Sequence, residues 1–157
     1  FDLYLETMKR NEAYTTWTKK ALLAIYHHLA LKGEAKFLLA KVQEHIIAGT
    51  ILIFSPSTVY YFFAASAQQY LSLCPNDLLV HHGISLAIRK GKQFFDMMTS
   101  RVDDTALMNF KVKWGAQQYP FYFYEKSLNP LRTTIWKKVW RLMNTSAGAW
   151  LIRCIRG

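Results

Sequence analysis

Phe110 and Trp114 stand four residues apart and share a helix face with Leu107. Lys111, four after Leu107, falls at the edge of that apolar face, while Lys113 is expected to point elsewhere. An ammonium group so placed can steady a developing negative charge or hold a phosphate. The plainer alternative is a lysine whose stem covers apolar surface and whose head stays in water. Asp96 falls on an apolar run that reads as a buried strand, so its carboxylate needs a backbone or basic partner, or a substrate group to act on. The remaining chemistry-bearing residues do not converge. His27–His28 and His81–His82 are adjacent pairs that diverge on a helix, and neither HExxH nor CxxC occurs. No serine sits in a GxSxG elbow. Cys74 and Cys154 are far apart and read as reduced thiols rather than a disulfide framework.

These residues need elements to hold them. A chain of 157 residues with 52% hydrophobic and 19% charged residues has the balance of one folded domain with a real core. Residues 1–11 read as a helix that continues an upstream element, so the chain is read as a fragment. Residues 16–32 read as a second helix, with Trp17, Ala21, Ala24, Ile25, His28 and Leu29 on one face and Gly33 as its stop. Ala35–Gln43, Ile46–Phe54 and Thr58–Ser66 read as three strands, spaced tightly enough for an antiparallel meander. A helix is expected from Pro75 to about Lys90, a short strand over Gln93–Met98, and a helix capped by Asp103 or Asp104 and ended by Gly115. Tyr119–Glu125 reads as a further strand, and Thr133–Met143 and Ala147–Arg156 as two basic helices. A meander followed by β-α-β alternation implies an α/β (α+β) domain: a mixed sheet with helices on both faces.

Two stretches carry a resemblance to a known family. In LLVHHGISLAIRKGKQFFDMM (78–98), Leu78, Leu79, Ile84, Ala87 and Gly91 match a helix pattern that leads into a strand carrying Asp96. In LMNFKVKWGA (107–116), Phe110, Lys111, Trp114 and Gly115 match an "l..FK..wG" signature. In this order and spacing they resemble FemAB-type members of the GNAT acyltransferases, and the likeness runs over nearly the whole chain. The element order is similar to a GNAT core with its first strand missing.

The resemblance implies an N-acyl or aminoacyl transferase acting on an amine in cell-envelope synthesis. It implies residues 1–127 as the second domain of a tandem pair, partnered by an upstream GNAT-like domain, and 128–157 as a basic amphipathic tail. It implies Lys111 and Asp96 as catalytic residues, and Phe110, Trp114, Tyr60, Tyr61, Ala64 and Ala65 as the donor and substrate surface. Within that surface, freed backbone amides of Tyr60–Ala65 would hold the acyl carbonyl. No permanently bound cofactor and no metal is expected; the donor is acyl-CoA or aminoacyl-tRNA. The stretch AQQYLSLCPND has no glycine, and Asp77 at the helix start is expected to oppose a donor phosphate. An acetyl-CoA-dependent enzyme for a soluble amine and a non-catalytic membrane- or RNA-binding half-domain are the alternatives.

The net charge is +10, and every charged residue from Lys126 onward is cationic. Such a tail favours anionic partners: a lipid-linked envelope precursor, tRNA, or a membrane surface met through residues 131–157. No apolar run reaches the about 20 residues of a membrane span. The expected location is cytoplasmic, with peripheral contact at the inner membrane face.

Overall fold

The computed structural model describes residues 1–11, 13, 15–124 and 126–143. Helix α1 spans Asp2–Arg10 and α2 spans Lys19–Ile25, extended by a wider π turn over Tyr26–Ala30. Strands β1 (Ala35–Val42), β2 (His45–Phe54) and β3 (Thr58–Ser66) form the antiparallel meander read from the sequence. Helix α3 (Pro75–Arg89) crosses to β4 (Phe94–Asp96), which joins β3 in parallel. The order is β1-β2-β3-β4, a mixed sheet. Helix α4 (Thr105–Lys113) and helix α5 (Pro130–Met143) follow.

The sheet is covered on both faces. Leu79, Val80, Gly83, Leu86 and Ala87 make a buried stripe at helical spacing on α3. Leu79, Leu86 and Ala87 pack on Leu38, Ala40, Ala48, Leu52 and Val59. Fully burying each such leucine stabilises the fold by roughly 1.5–3 kcal/mol. Gly83 permits the approach: a Cβ there would meet the Phe95 ring at 3.1 Å. Strand side chains alternate, so Phe37 and Leu39 face the other way. There they line a shallow hollow of about 100 Å³ with Leu3, Tyr4, Leu22 and Phe63. Tyr4 also anchors the α1–α2 connection, its hydroxyl accepting from the Thr16 and Trp17 amides at 2.8 and 3.0 Å.

Four expectations change. The face of α2 is carried by Ala21, Leu22, Ile25 and Leu29, because the π turn rotates His28 outward and leaves Ala24 exposed. The strand expected over Gln93–Met98 shrinks to three residues and is not buried: Phe94 is 63% exposed and Asp96 is exposed. It lies at the sheet edge, so only one side finds a partner. The expected strand Tyr119–Glu125 does not form over its described residues, 119–124. Those residues pair with no strand, and Tyr119, Phe121, Tyr122, Phe123 and Tyr124 stand 66–95% exposed. The basic helix expected at Thr133 begins at Pro130, where the Asn129 side chain accepts from the Arg132 amide at 3.1 Å. The second basic helix, Ala147–Arg156, lies outside the described residues, as does Cys154; Cys74 is exposed and free.

Candidate active site

Strand β3 runs from Thr58 to Ser66, but β4 pairs with it only at Thr58, Val59 and Tyr60. From Tyr61 onward β3 keeps β2 on one side and, among the described residues, has no strand on the other. The strands therefore part company after Tyr60, which still belongs to the ladder. Which amides face the gap follows from alternation. The Ala67 amide donates to Ile47 of β2 at 2.9 Å, whereas Ser66 turns away from β2, its amide donating to the Thr7 hydroxyl at 3.0 Å. Backbone groups repeat every second residue, so Ala64 presents its N–H to the same side as Ser66. Ala65 is buried and faces β2 with its backbone.

The far end of this strand is held firmly. Arg10 donates to the Ser66 carbonyl at 2.7 Å, Thr7 donates to the same oxygen at 3.2 Å, and Asn76 of α3 donates to the Ser66 hydroxyl at 3.3 Å. Nothing in the sequence marks these residues, which lie more than 50 positions apart in the case of α1 and β3.

Five buried polar atoms have no hydrogen-bond partner among the described residues: the Tyr61 hydroxyl, Asn76 Oδ1, Asp77 Oδ1 (which meets Lys113 as an ion pair), Ser100 Oγ and Trp114 Nε1. They sit on β3, the first turn of α3, the loop after β4, and the end of α4. An unsatisfied buried polar group costs about 1–3 kcal/mol. Burial also pushes the Tyr61 phenol up to about 12. The neighbouring Thr50, whose own proton goes to the Phe63 carbonyl at 2.6 Å, offsets only part of that rise, and Asp77 adds to it. Tyr61 is therefore an un-ionised donor at neutral pH.

Lys111 is half-buried and its ammonium group donates to the Met98 and Thr99 carbonyls at 2.8 and 3.2 Å. Burial holds it below the usual lysine range, against the pull of Asp96 and Asp104. It thus ties α4 to the loop that leaves β4. Asp96, expected to be buried, instead closes a local turn, accepting from the Met98 amide at 2.6 Å. Phe110 and Trp114 are half-buried on α4 as expected, and the Trp114 ring meets His81 of α3 at 6.5 Å.

Lys113 is the residue that sequence spacing misplaced. It pairs with Asp77 in the first turn of α3 and lies 5.3 Å from the Phe110 ring centre. Asp77 therefore meets a cation and does not stand alone against a donor phosphate. The signal for this pair was absent from local pattern, because the two residues lie 36 positions apart and the contact arises only when α4 docks beside α3.

A mixed sheet whose strands part, with helices on both faces, has the architecture of the GNAT acyltransferases. The family model described as an acetyltransferase (GNAT) domain matches residues 1–119, and the chain belongs to that family. GNAT enzymes use acyl-CoA as a co-substrate. Solved structures agree on the fold. The aminoglycoside enzyme AAC(6')-Iy, in complex with a bisubstrate analogue of CoA, is 14% identical with a TM-score of 0.62, covering 75% of this chain and 86% of its own. The 6'-N-acetyltransferase AAC(6')-IG from Acinetobacter haemolyticus is 14% identical with a TM-score of 0.58, covering 82% and 94%. A transcriptional regulator from Bacillus halodurans C-125 is 11% identical with a TM-score of 0.61, covering 80% and 91%. Likeness at this level fixes architecture and leaves substrate open. No match was found among curated proteins.

Proposed function

We propose that this chain transfers an acyl group from acyl-CoA to an amine, with the donor lying along the free side of β3. The observation that carries this reading is the loss of a partner for β3 after Tyr60. The amine attacks the thioester carbonyl, the C–N bond forms, the C–S bond breaks, and the amine loses a proton while the thiolate gains one. The Ala64 N–H supports the carbonyl oxygen as it gains charge. Tyr61, un-ionised, donates to the bound donor. Lys113 and the start of α3 meet the donor's phosphates. Lys111 is a positioning residue that fixes the loop after β4, and Phe110 and Trp114 wall the site.

The finer reading is a FemAB-type enzyme whose acceptor is an envelope amine. It rests on the matches at Ile84, Ala87 and Gly91 and at Phe110, Lys111, Trp114 and Gly115. The acid-free tail supports an acceptor that is itself anionic or lipid-linked. In this reading an upstream GNAT-like domain shares the work.

The test uses the full chain with acyl-CoA and a panel of amines, following release of the CoA thiol. Ala64→Pro removes one N–H while leaving the β2 ladder intact, a position where a strand tolerates proline. It is expected to lower kcat/KM by about 10²-fold, as loss of one carbonyl-holding donor does. Lys111→Met should lower kcat, and Lys111→Arg should recover most of it. An Ala64→Pro protein that folds and turns over at the wild-type rate would remove the donor from this groove.

A further inference from the structure

Helix α5 supplies no group to the acyl-transfer chemistry, and its surface asks for a partner of its own. Successive helix residues turn by about 100°, which places Leu131, Ile135, Trp136, Val139 and Trp140 on one half of its circumference. Lys137, Lys138 and Arg141 fall on the other half together with Thr133 and Thr134. Arg132 lies within the apolar half at the first turn, where its long stem can carry its charge outward. The helix contains no acidic residue. Much of its apolar half is exposed: Leu131 is 73% exposed, Trp136 59% and Ile135 55%, with Val139 and Trp140 at 39%. Just ahead of it, Lys126, Arg132 and Lys137 line one open cleft, and the aromatic run that ends at Tyr124 is exposed too.

From this we infer that α5 is an interfacial helix that lies on an anionic lipid surface, with its apolar half at the acyl boundary and its cations among the headgroups. Three features favour lipid over other anionic partners. The helix is 14 residues long, too short to span a bilayer, and no helix among the described residues is long and apolar enough to do so. Tryptophan beside aliphatic residues on one face suits the headgroup level, whereas nucleic acid makes no use of Leu131, Ile135 and Val139. Lys137, Lys138 and Arg141 are on the face that a lipid-bound helix turns toward anionic headgroups. The inference stands apart from the acyl-transfer reading, and would leave the sheet holding its chemistry at the membrane surface.

Co-sedimentation of the full chain with vesicles tests it without any activity measurement. Phosphatidylcholine vesicles containing phosphatidylglycerol are expected to carry the protein down, and pure phosphatidylcholine vesicles to leave it in solution. The double variants Lys138→Glu/Arg141→Glu and Ile135→Ser/Trp136→Ser should each weaken binding about tenfold or more. Both changes lie on a solvent-facing helix, and an unchanged thermal melt verifies that the sheet domain remains folded. Wild-type binding to neither vesicle, or equal binding by the variants, overturns the proposal. So does binding to RNA with no binding to vesicles, which would assign the face to nucleic acid. Sedimentation without vesicles that the Ile135→Ser/Trp136→Ser change abolishes would assign it to a second protein surface instead.

Discussion

Tyr61 is the residue where burial, titration and function meet. Its hydroxyl is buried with only the neighbouring Thr50 to compensate it, so replacing it with phenylalanine removes a cost while keeping the ring contact with Phe95. Tyr61→Phe is expected to leave the melting temperature unchanged or raise it, while lowering the affinity for acyl-CoA by about tenfold, the worth of one hydrogen bond to a ligand. Differential scanning calorimetry and calorimetric titration read the two effects separately. The pH dependence has a definite sign. The native phenol sits at about 12 against an ordinary 10.0, so between those values the unfolded chain releases a proton that the native one keeps. The stabilisation is complete below pH 10 and is lost as pH rises toward 12, by at most roughly 2–3 kcal/mol. Alkaline unfolding followed by circular dichroism should therefore be shallower in Tyr61→Phe than in the wild type. Equal curves would mean that the hydroxyl is solvated.

At the scale of elements, the site depends on how closely α3 lies over the sheet. Gly83 faces Phe95 on β4, and an added Cβ would meet ring atoms at 3.1 and 3.2 Å. A neighbour at that range must give by a few tenths of an ångström, so alanine is near the limit and valine is beyond it. Gly83→Val is expected to destabilise the fold by about 1–3 kcal/mol. Because the strain falls on β4, donor binding should suffer more than global stability. Urea unfolding alongside CoA titration checks the pair of effects, and an unaltered Kd in a destabilised protein would separate α3 packing from the site. The tie from Lys111 to the Met98 and Thr99 carbonyls acts at the same scale, since it sets where β4 ends and the gap begins.

The whole molecule carries a net charge of +10, and acyl-CoA carries several phosphate charges. Long-range attraction should therefore raise the association rate and fall away with salt, since screening acts over about 10 Å at 0.1 M. The KM for acyl-CoA is expected to rise several-fold between low and high ionic strength while kcat changes little. Steady-state kinetics in a potassium chloride series reads this directly; a KM indifferent to salt would mean that the cations lie too far from the groove to steer.

Local pattern was enough for the elements whose signals are local. Strand β3 runs from Thr58 to Ser66 as its β-branched and aromatic run implies, and Asp104, Gly33, Gly91 and Gly115 cap or stop helices where the sequence placed them. Their backbone supports this: the three glycines have φ of +78°, +63° and +77°. The motif residues Phe110, Lys111 and Trp114 were likewise legible as a group. Pairing across distance was not. Whether Tyr119–Tyr124 becomes a strand depends on an edge to join, and periodicity says nothing of edges. The burial of Asp96 depended on a second neighbour for β4, and the fate of Asp77 on a lysine brought in by another helix. Sequence fixes which face of an element is apolar, because that is a property of spacing along one chain. Only the packed sheet decides where two strands part and which polar atoms are left without partners, because those depend on what every other element has already used.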